Sequence, residues 1–222
     1  MHINSFLVKQ LHLSHQQIKA DITSSLVFID NEIAHQKQII YPHQTIKYKQ
    51  QIIQEGKTLF YYGFHKPIGV ESTLNINIPN NLIEATGIKE YFFPIGRLDK
   101  ASEGLMILTN DGFLYKQITN TENTIEKKYL VETNKLIDDD FIERMANGIE
   151  IMGRKTKACQ INKMNSKTFI ITLVEGKNRQ IRRMCYKLGY EVCLLKRLAI
   201  GKLKLDDLPL GCSKKITKSE II

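Results

Sequence analysis

The chain has 222 residues, 42% of them hydrophobic, with only 5 prolines and 13 glycines, which is enough apolar content for one substantial core plus a small module and excludes a disordered chain. No apolar run reaches the about 18 residues of a membrane span, and the start Met1-His2-Ile3-Asn4-Ser5 lacks a secretory signal, so a soluble, cytoplasmic protein with no membrane contact is expected. The net charge is +9, and its distribution is uneven: residues 175–204 hold nine basic side chains against two acidic ones, whereas residues 1–55 hold five lysines against four acids. A concentrated basic strip is the footprint of a polyanion partner, because each neutralised phosphate releases condensed counterions.

In chain order, Asn4 or Ser5 is placed to cap a first helix with Phe6, Leu7 and Leu11 inward. Ser14, with Gln17 three residues on, has the spacing of a capping box for a second helix that buries Ile18 and Ile22. Leu26–Ile29 and Ile33-Ala34 flank the turn Asp30-Asn31-Glu32, Thr45–Tyr48 alternates as a further strand, and Gln50–Gly56 reads as a linker. Beyond residue 57, Leu59–Tyr62, Phe92-Phe93 and Leu105–Leu108 read as strands, the last ended by the turn Asn110-Asp111-Gly112. Asp138–Asp140 suit the start of a helix carrying Phe141, Ile142 and Met145, and Gly148 suits its end. Thr168–Val174 is the clearest β run and leads directly into the basic strip. Cys159, Cys185, Cys193 and Cys212 match neither a zinc framework nor a disulfide scaffold and read as reduced, mostly buried thiols; the histidines of the first 45 residues have no ligand spacing, so no metal site is expected.

Gly96-Arg97-Leu98-Asp99 and Gly104, just before a buried strand, would hold a carboxylate and a guanidinium on a rigid loop at the mouth of a sheet; alone, these residue types read first as an ordinary turn. Together with other segments, however, this one resembles the RsuA-type family of ribosomal RNA pseudouridine synthases. His65–Val70 is similar to that family's K-P-x-G segment and Gly96–Asp99 to its G-R-L-D. Gly104 to Gly112 is similar to its G-L-x-x-L-T-N-D-G, Glu126–Val131 to its K-x-Y, and Glu175–Met184 to its G-x-N-R-Q-I-R-R-M.

The resemblance implies an α+β fold: a catalytic domain over 57–222 on a mixed, mainly antiparallel sheet, with the active site in a central cleft. Residues 1–52 resemble the small αL-type RNA-binding domain first known from a ribosomal protein, although His15-Gln16-Gln17 stand where such domains carry paired basic residues; RNA binding and a purely structural role are both open for them. The implied partner is ribosomal RNA, 23S in the RluF-like branch, with transfer RNA left open. The active unit is expected to be a monomer, with no cofactor.

By the same resemblance Asp99 is the catalytic carboxylate, which attacks the sugar or takes its 2′ proton, Arg182 pairs with it, and Tyr129 stacks on the uracil and helps remove the carbon 5 proton. The target nucleotide is flipped out, with Arg97 filling its place and Lys127, Lys177, Asn178, Arg179 and Arg183 holding RNA. On spacing alone, Arg179, Arg182 and Arg183 share one helix face that is either solvated or phosphate-binding. The rivals are a non-catalytic RNA-binding or ribosome-assembly protein, which leaves Asp99 and Tyr129 without a task, and a synthase acting on 16S or transfer RNA. A methyltransferase would want a G-x-G-x-x-G, and none occurs.

Overall fold

The computed structural model describes residues 1–120 and 124–222, which form two units, Met1–Leu59 and Phe60–Ile222. The first unit has helices α1 (Ile3–Leu11) and α2 (His15–Thr23) and strands β1 (Val27–Ile29), β2 (Glu32–Ile33), β3 (Ile46–Tyr48) and β4 (Gln51–Gln54). The strands pair antiparallel in the order β2-β1-β3-β4. Ile3, Phe6 and Leu7 of α1 meet Ile18 and Ile22 of α2 and the inward Val27, Ile29 and Ile46, as the two periodicities require.

Ser14 caps α2, accepting from the Gln17 amide at 3.2 Å, but the Gln17 side chain donates forward to Asp21 at 3.1 Å, so only half of the expected capping box forms. Helix α1 starts at Ile3 with His2 as its uncapped N-cap, because the Asn4 carbonyl is committed to the Lys37 amide at 2.9 Å. The expected linker is also corrected: Gln51–Gln54 closes the sheet as β4, and the unit runs to Leu59. The β3–β4 hairpin turns through Lys49 and Gln50, both at positive φ (47° and 69°), and neither residue type announces such a turn in the sequence. Asp30 and Asn31 make the same kind of turn, at φ 49° and 73°, with residues that do announce it.

The second unit contains β5 (Tyr61–Lys66), α3 (Leu82–Thr86), β6 (Phe93–Ile95), β7 (Glu103–Thr109), α4 (Gly112–Thr119), β8 (Lys127–Thr133), α5 (Asp139–Ala146), β9 (Glu150–Ile151) and β10 (Arg154–Lys155). It continues through β11 (Gln160–Lys163), β12 (Thr168–Leu173), α6 (Gln180–Lys187), β13 (Val192–Ile200), β14 (Leu203–Lys204) and β15 (Ser213–Ile216) to a 3₁₀ turn at Lys218–Glu220. Among the described residues its main sheet has nine strands in the order β11-β12-β8-β13-β7-β5-β15, with β14 on β13 and β6 on β7. Only β7 and β13 run parallel, so the sheet is mixed and mainly antiparallel, as expected.

That parallel seam depends on Gly104, at φ +117°: a Cβ there would lie 2.4 Å from the backbone of Arg197, its register partner. Asn110-Asp111-Gly112 ends β7, as expected, and also starts a helix, in which Asp111 accepts from the amides of Phe113 (2.9 Å) and Leu114 (3.1 Å) to cap α4. Asp138 likewise caps α5 through the Phe141 amide at 2.8 Å. Phe141, Met145, Phe169, Ile171, Met184 and Val131 pack together, which seats α5 and α6 against the sheet. All four cysteines are free, but Cys193 and Cys212 are exposed rather than buried; Cys193 is the extra residue of a bulge in β13, which turns it out of the ladder.

Candidate active site

Asp99 lies on the loop that joins β6 to β7. Its neighbour Leu98 is buried as an anchor, and Ser72 grips that residue twice: its hydroxyl donates to the Leu98 carbonyl at 2.6 Å and accepts from the Leu98 amide at 3.1 Å. The Ser102 amide donates to the Asp99 carbonyl at 2.9 Å, and the Gly69 amide to the Lys100 carbonyl at 2.8 Å. Lys66, fully buried at the end of β5, donates to the carbonyls of Ser102 and Pro67, each at 2.8 Å. Burial pulls its ammonium down to about 8 against the opposing attraction of Glu71 and Asp99. The segment Lys66–Gly69 thus braces the Asp99 loop from behind, which gives two separate sequence motifs one structural purpose.

The Asp99 carboxylate, 30% exposed, accepts from Arg179 Nη1 at 3.2 Å. Arg179 is the N-cap of α6 and holds a left-handed backbone (φ 51°, ψ 33°), a conformation that costs a non-glycine residue about 1–3 kcal/mol and tends to cluster at functional sites. The expected pairing of Arg182 with Asp99 is corrected: no ion pair forms between them, and Arg182 instead donates to the carbonyls of Val192 (2.9 Å) and Ala101 (2.8 Å) and to the Ser102 hydroxyl (3.2 Å). One helical turn separates the two arginines, so Arg179 reaches the carboxylate while Arg182 reaches the backbone of the loop that carries it. Burial and then Arg179's repulsion lower the Arg182 pKa, and Asp99 opposes both, so Arg182 feels the carboxylate without touching it.

Asp99, Arg97, Lys177, Asn178 and Arg179 line one open cleft of about 1000 Å³, together with Tyr91 and Tyr115. A smaller recess of about 220 Å³ is lined by Tyr129, Lys127 and Arg197, and shares Gly96, Arg97, Gly176 and Lys177 with the cleft. Tyr129 is half-buried on β8. Arg97 is exposed. Lys127 donates to the Ile125 carbonyl at 2.9 Å, and burial followed by Arg197's charge lowers its pKa.

Lys177 is folded back, with Nζ 3.0 Å from the Lys155 carbonyl and 3.5 Å from Glu175. Arg183 lies in neither recess; it donates to the Asn178 carbonyl (3.1 Å) and side-chain oxygen (3.2 Å) and borders a separate hollow with Arg179, Arg182, Tyr186 and Lys187. The sequence reading missed Ser72 and Arg197. Ser72 carried no signal, but Lys196-Arg197 inside the apolar strand Val192–Ile200 is a charge where a buried strand should have none. Among the described residues, no three His, Cys, Asp or Glu side chains are grouped to hold a metal ion, and no helix is long and apolar enough to cross a membrane.

The family model for RNA pseudouridylate synthase matches residues 61–187. The dual-specificity RNA pseudouridine synthase RluF of Escherichia coli O6:H1 is 37% identical over 99% of this chain and 77% of its own length. Ribosomal small subunit pseudouridine synthase A of Yersinia pestis is 30% identical over 100% of this chain and 97% of its own. A crystal structure of a pseudouridylate synthase superposes with a TM-score of 0.68 at 27% identity, covering 99% of this chain and 97% of that one. With the matched segment running from β5 through α6, and so across the Asp99 loop, Tyr129 and the arginine turn, the chain belongs to the RNA pseudouridylate synthase family, as an RsuA-type member akin to RluF.

Proposed function

We propose that this protein isomerises a uridine of ribosomal RNA, in the 23S molecule, with Asp99 as the catalytic carboxylate. The observation that carries the reading is the meeting of three features at one point: a braced loop holding Asp99, a guanidinium 3.2 Å from its carboxylate, and an adjoining recess containing Tyr129. The reaction breaks the bond between C1′ and N1, turns the uracil, and joins C5 to C1′ with loss of the C5 proton. It changes no oxidation state, so it calls for no redox cofactor. Asp99 adds to the sugar or takes its 2′ proton; both routes use its carboxylate, which Arg179 contacts while Arg182 holds the loop behind it.

Tyr129 offers a π-face to the uracil and assists removal of the C5 proton. Arg97, exposed at the edge shared by both recesses, occupies the place of the flipped nucleotide, while Lys127, Lys177, Asn178 and Arg183 hold the RNA around it. Residues 1–52 resemble an αL-type RNA-binding domain and bear on the choice of site more than on phosphate binding or the chemical rate, and the enzyme works as a cytoplasmic monomer. The name of the Yersinia pestis relative supports ribosomal RNA as the substrate class, and the choice of the 23S molecule rests on the resemblance of the motifs to the RluF-like branch.

Asp99→Asn keeps the shape of the side chain and removes its ability to act as nucleophile or base. It is expected to lower tritium release from C5-labelled uridine by about 10⁴-fold or more, with RNA affinity and melting temperature retained. Mapping pseudouridine in 23S, 16S and transfer RNA from cells with and without the protein identifies the substrate. Tritium release by the Asp99→Asn protein at the parental rate would remove Asp99 from the chemistry.

A further inference from the structure

Arg197 is 4% exposed, yet among the described residues no carboxylate pairs with it. Its Nε donates to the Leu105 carbonyl at 2.6 Å, and its Nη2 is buried with no partner at all. Buried charges are ordinarily paired, because desolvation is costly and an unmade hydrogen bond adds to that cost. Here the neighbouring charges make matters worse: the ammonium groups of Lys127 and Lys66 both feel repulsion from Arg197. A fold retains such an arrangement when something bound there supplies the missing acceptor.

The position says what that acceptor is. Arg197 on β13 stands directly opposite Tyr129 on β8 in antiparallel register, and Lys127 lies two residues along β8, so all three side chains share one sheet face. All three line the recess of about 220 Å³ that shares Gly96, Arg97, Gly176 and Lys177 with the Asp99 cleft.

We propose that Arg197 is a uracil-binding residue, whose free Nη2 donates to a carbonyl oxygen of the flipped base stacked on Tyr129. This rests on the reading that the chain isomerises uridine. When the bond between C1′ and N1 breaks, its electron pair stays with the base, and the resulting negative charge spreads onto O2 and O4 until C5 bonds to C1′ and gives up its proton. A fixed guanidinium donor with an ammonium beside it stabilises that charge as it develops. At O4 the same donor would also reject cytosine, whose amino group presents a donor against a donor.

The test uses the full-length protein and target RNA carrying uridine, 2-thiouridine or 4-thiouridine at the modified position, since sulfur is the weaker acceptor. One of the two sulfur substitutions is expected to lower kcat about tenfold in the parental enzyme with KM nearly unchanged. Arg197→Gln should lower kcat on uridine about 100-fold, and should then be indifferent to that same sulfur atom. Parental turnover that ignores both sulfur substitutions overturns the role of Arg197, whether or not the Gln variant folds, and so does a folded Arg197→Gln protein with parental kcat. Failure of the parental enzyme to act on unmodified RNA of any class overturns the synthase reading itself.

Discussion

The two units solve the problem of buried polar groups in opposite ways. In Met1–Leu59 the buried Asp21 is closed internally: Tyr48 Oη donates to it at 2.7 Å and Gln17 Nε2 at 3.1 Å. In Phe60–Ile222, Arg182 Nε and Arg197 Nη2 are buried without acceptors, and Arg179 holds a strained backbone. An unsatisfied buried donor costs stability, so the two such guanidinium groups mark a part of the molecule that a ligand completes. The charge follows the same division, with the basic strip of 175–204 in the second unit.

The sharpest way to break this comparison is to separate the two arginines near Asp99. Arg179→Met removes the guanidinium in contact with the carboxylate, from a side chain 47% exposed, and is expected to cut turnover by about 10²–10³-fold with little change in melting temperature. Arg182→Met leaves the Ala101 and Val192 carbonyls without their donor, so turnover should fall together with a stability loss of about 2–4 kcal/mol. Calorimetry beside single-turnover kinetics distinguishes them. Full stability in Arg182→Met would mean that its bonds to the loop are incidental.

A smaller effect is expected at Ser72. Ser72→Ala releases both the amide and the carbonyl of Leu98, one residue from Asp99, and should slow kcat about tenfold while leaving KM for RNA nearly unchanged, because the loop loses alignment and not contact with RNA. Thr at position 72 retains a hydroxyl and is expected to restore most of the rate. An equal loss in Ser72→Thr would show that bulk, and not the hydrogen bonds, matters there.

How much of this was legible in the sequence depends on the kind of signal. The β run Thr168–Leu173 and the caps at Ser14 and Asp138 follow from periodicity and capping chemistry, both of which are local. The hairpin at Lys49-Gln50 was hidden because the register of β3 against β4 imposes a left-handed turn on residues with no preference for it. The choice of Arg179 over Arg182 as partner of Asp99 was hidden for a similar reason. It turns on the backbone angle of a single residue at the start of α6, and motif spelling does not encode that angle. Ser72 was invisible because its task depends on a contact 26 residues away.

In the first unit the expected effects are on stability alone. Tyr48→Phe removes the 2.7 Å bond to Asp21 and should cost about 1–3 kcal/mol, read as a lower denaturation midpoint with an unchanged slope, with turnover by the folded protein at the parental rate. A loss of turnover without loss of stability would mean that the N-terminal unit takes part in the chemistry.

The smallest effect concerns where RNA phosphates are held. Arg183 is bound only to the exposed Asn178, contacts that a phosphate can replace at little cost, and it stands beside Arg179 and Lys187 at one hollow of the basic strip. Removing one phosphate contact flattens the dependence of log affinity on log salt by about 0.7–0.9. Arg183→Ala is therefore expected to lower the slope by about that much, with a weakening that is uniform across RNA sequences and no change in kcat at saturation. Lys19→Ala, on an exposed position of α2 in the unit that carries little net charge, should leave the slope unchanged. Filter binding at four or five salt concentrations measures both. Equal flattening by the two variants would place as much phosphate binding in the first unit as in the second, and the uneven charge along the chain would then have no bearing on where the RNA lies.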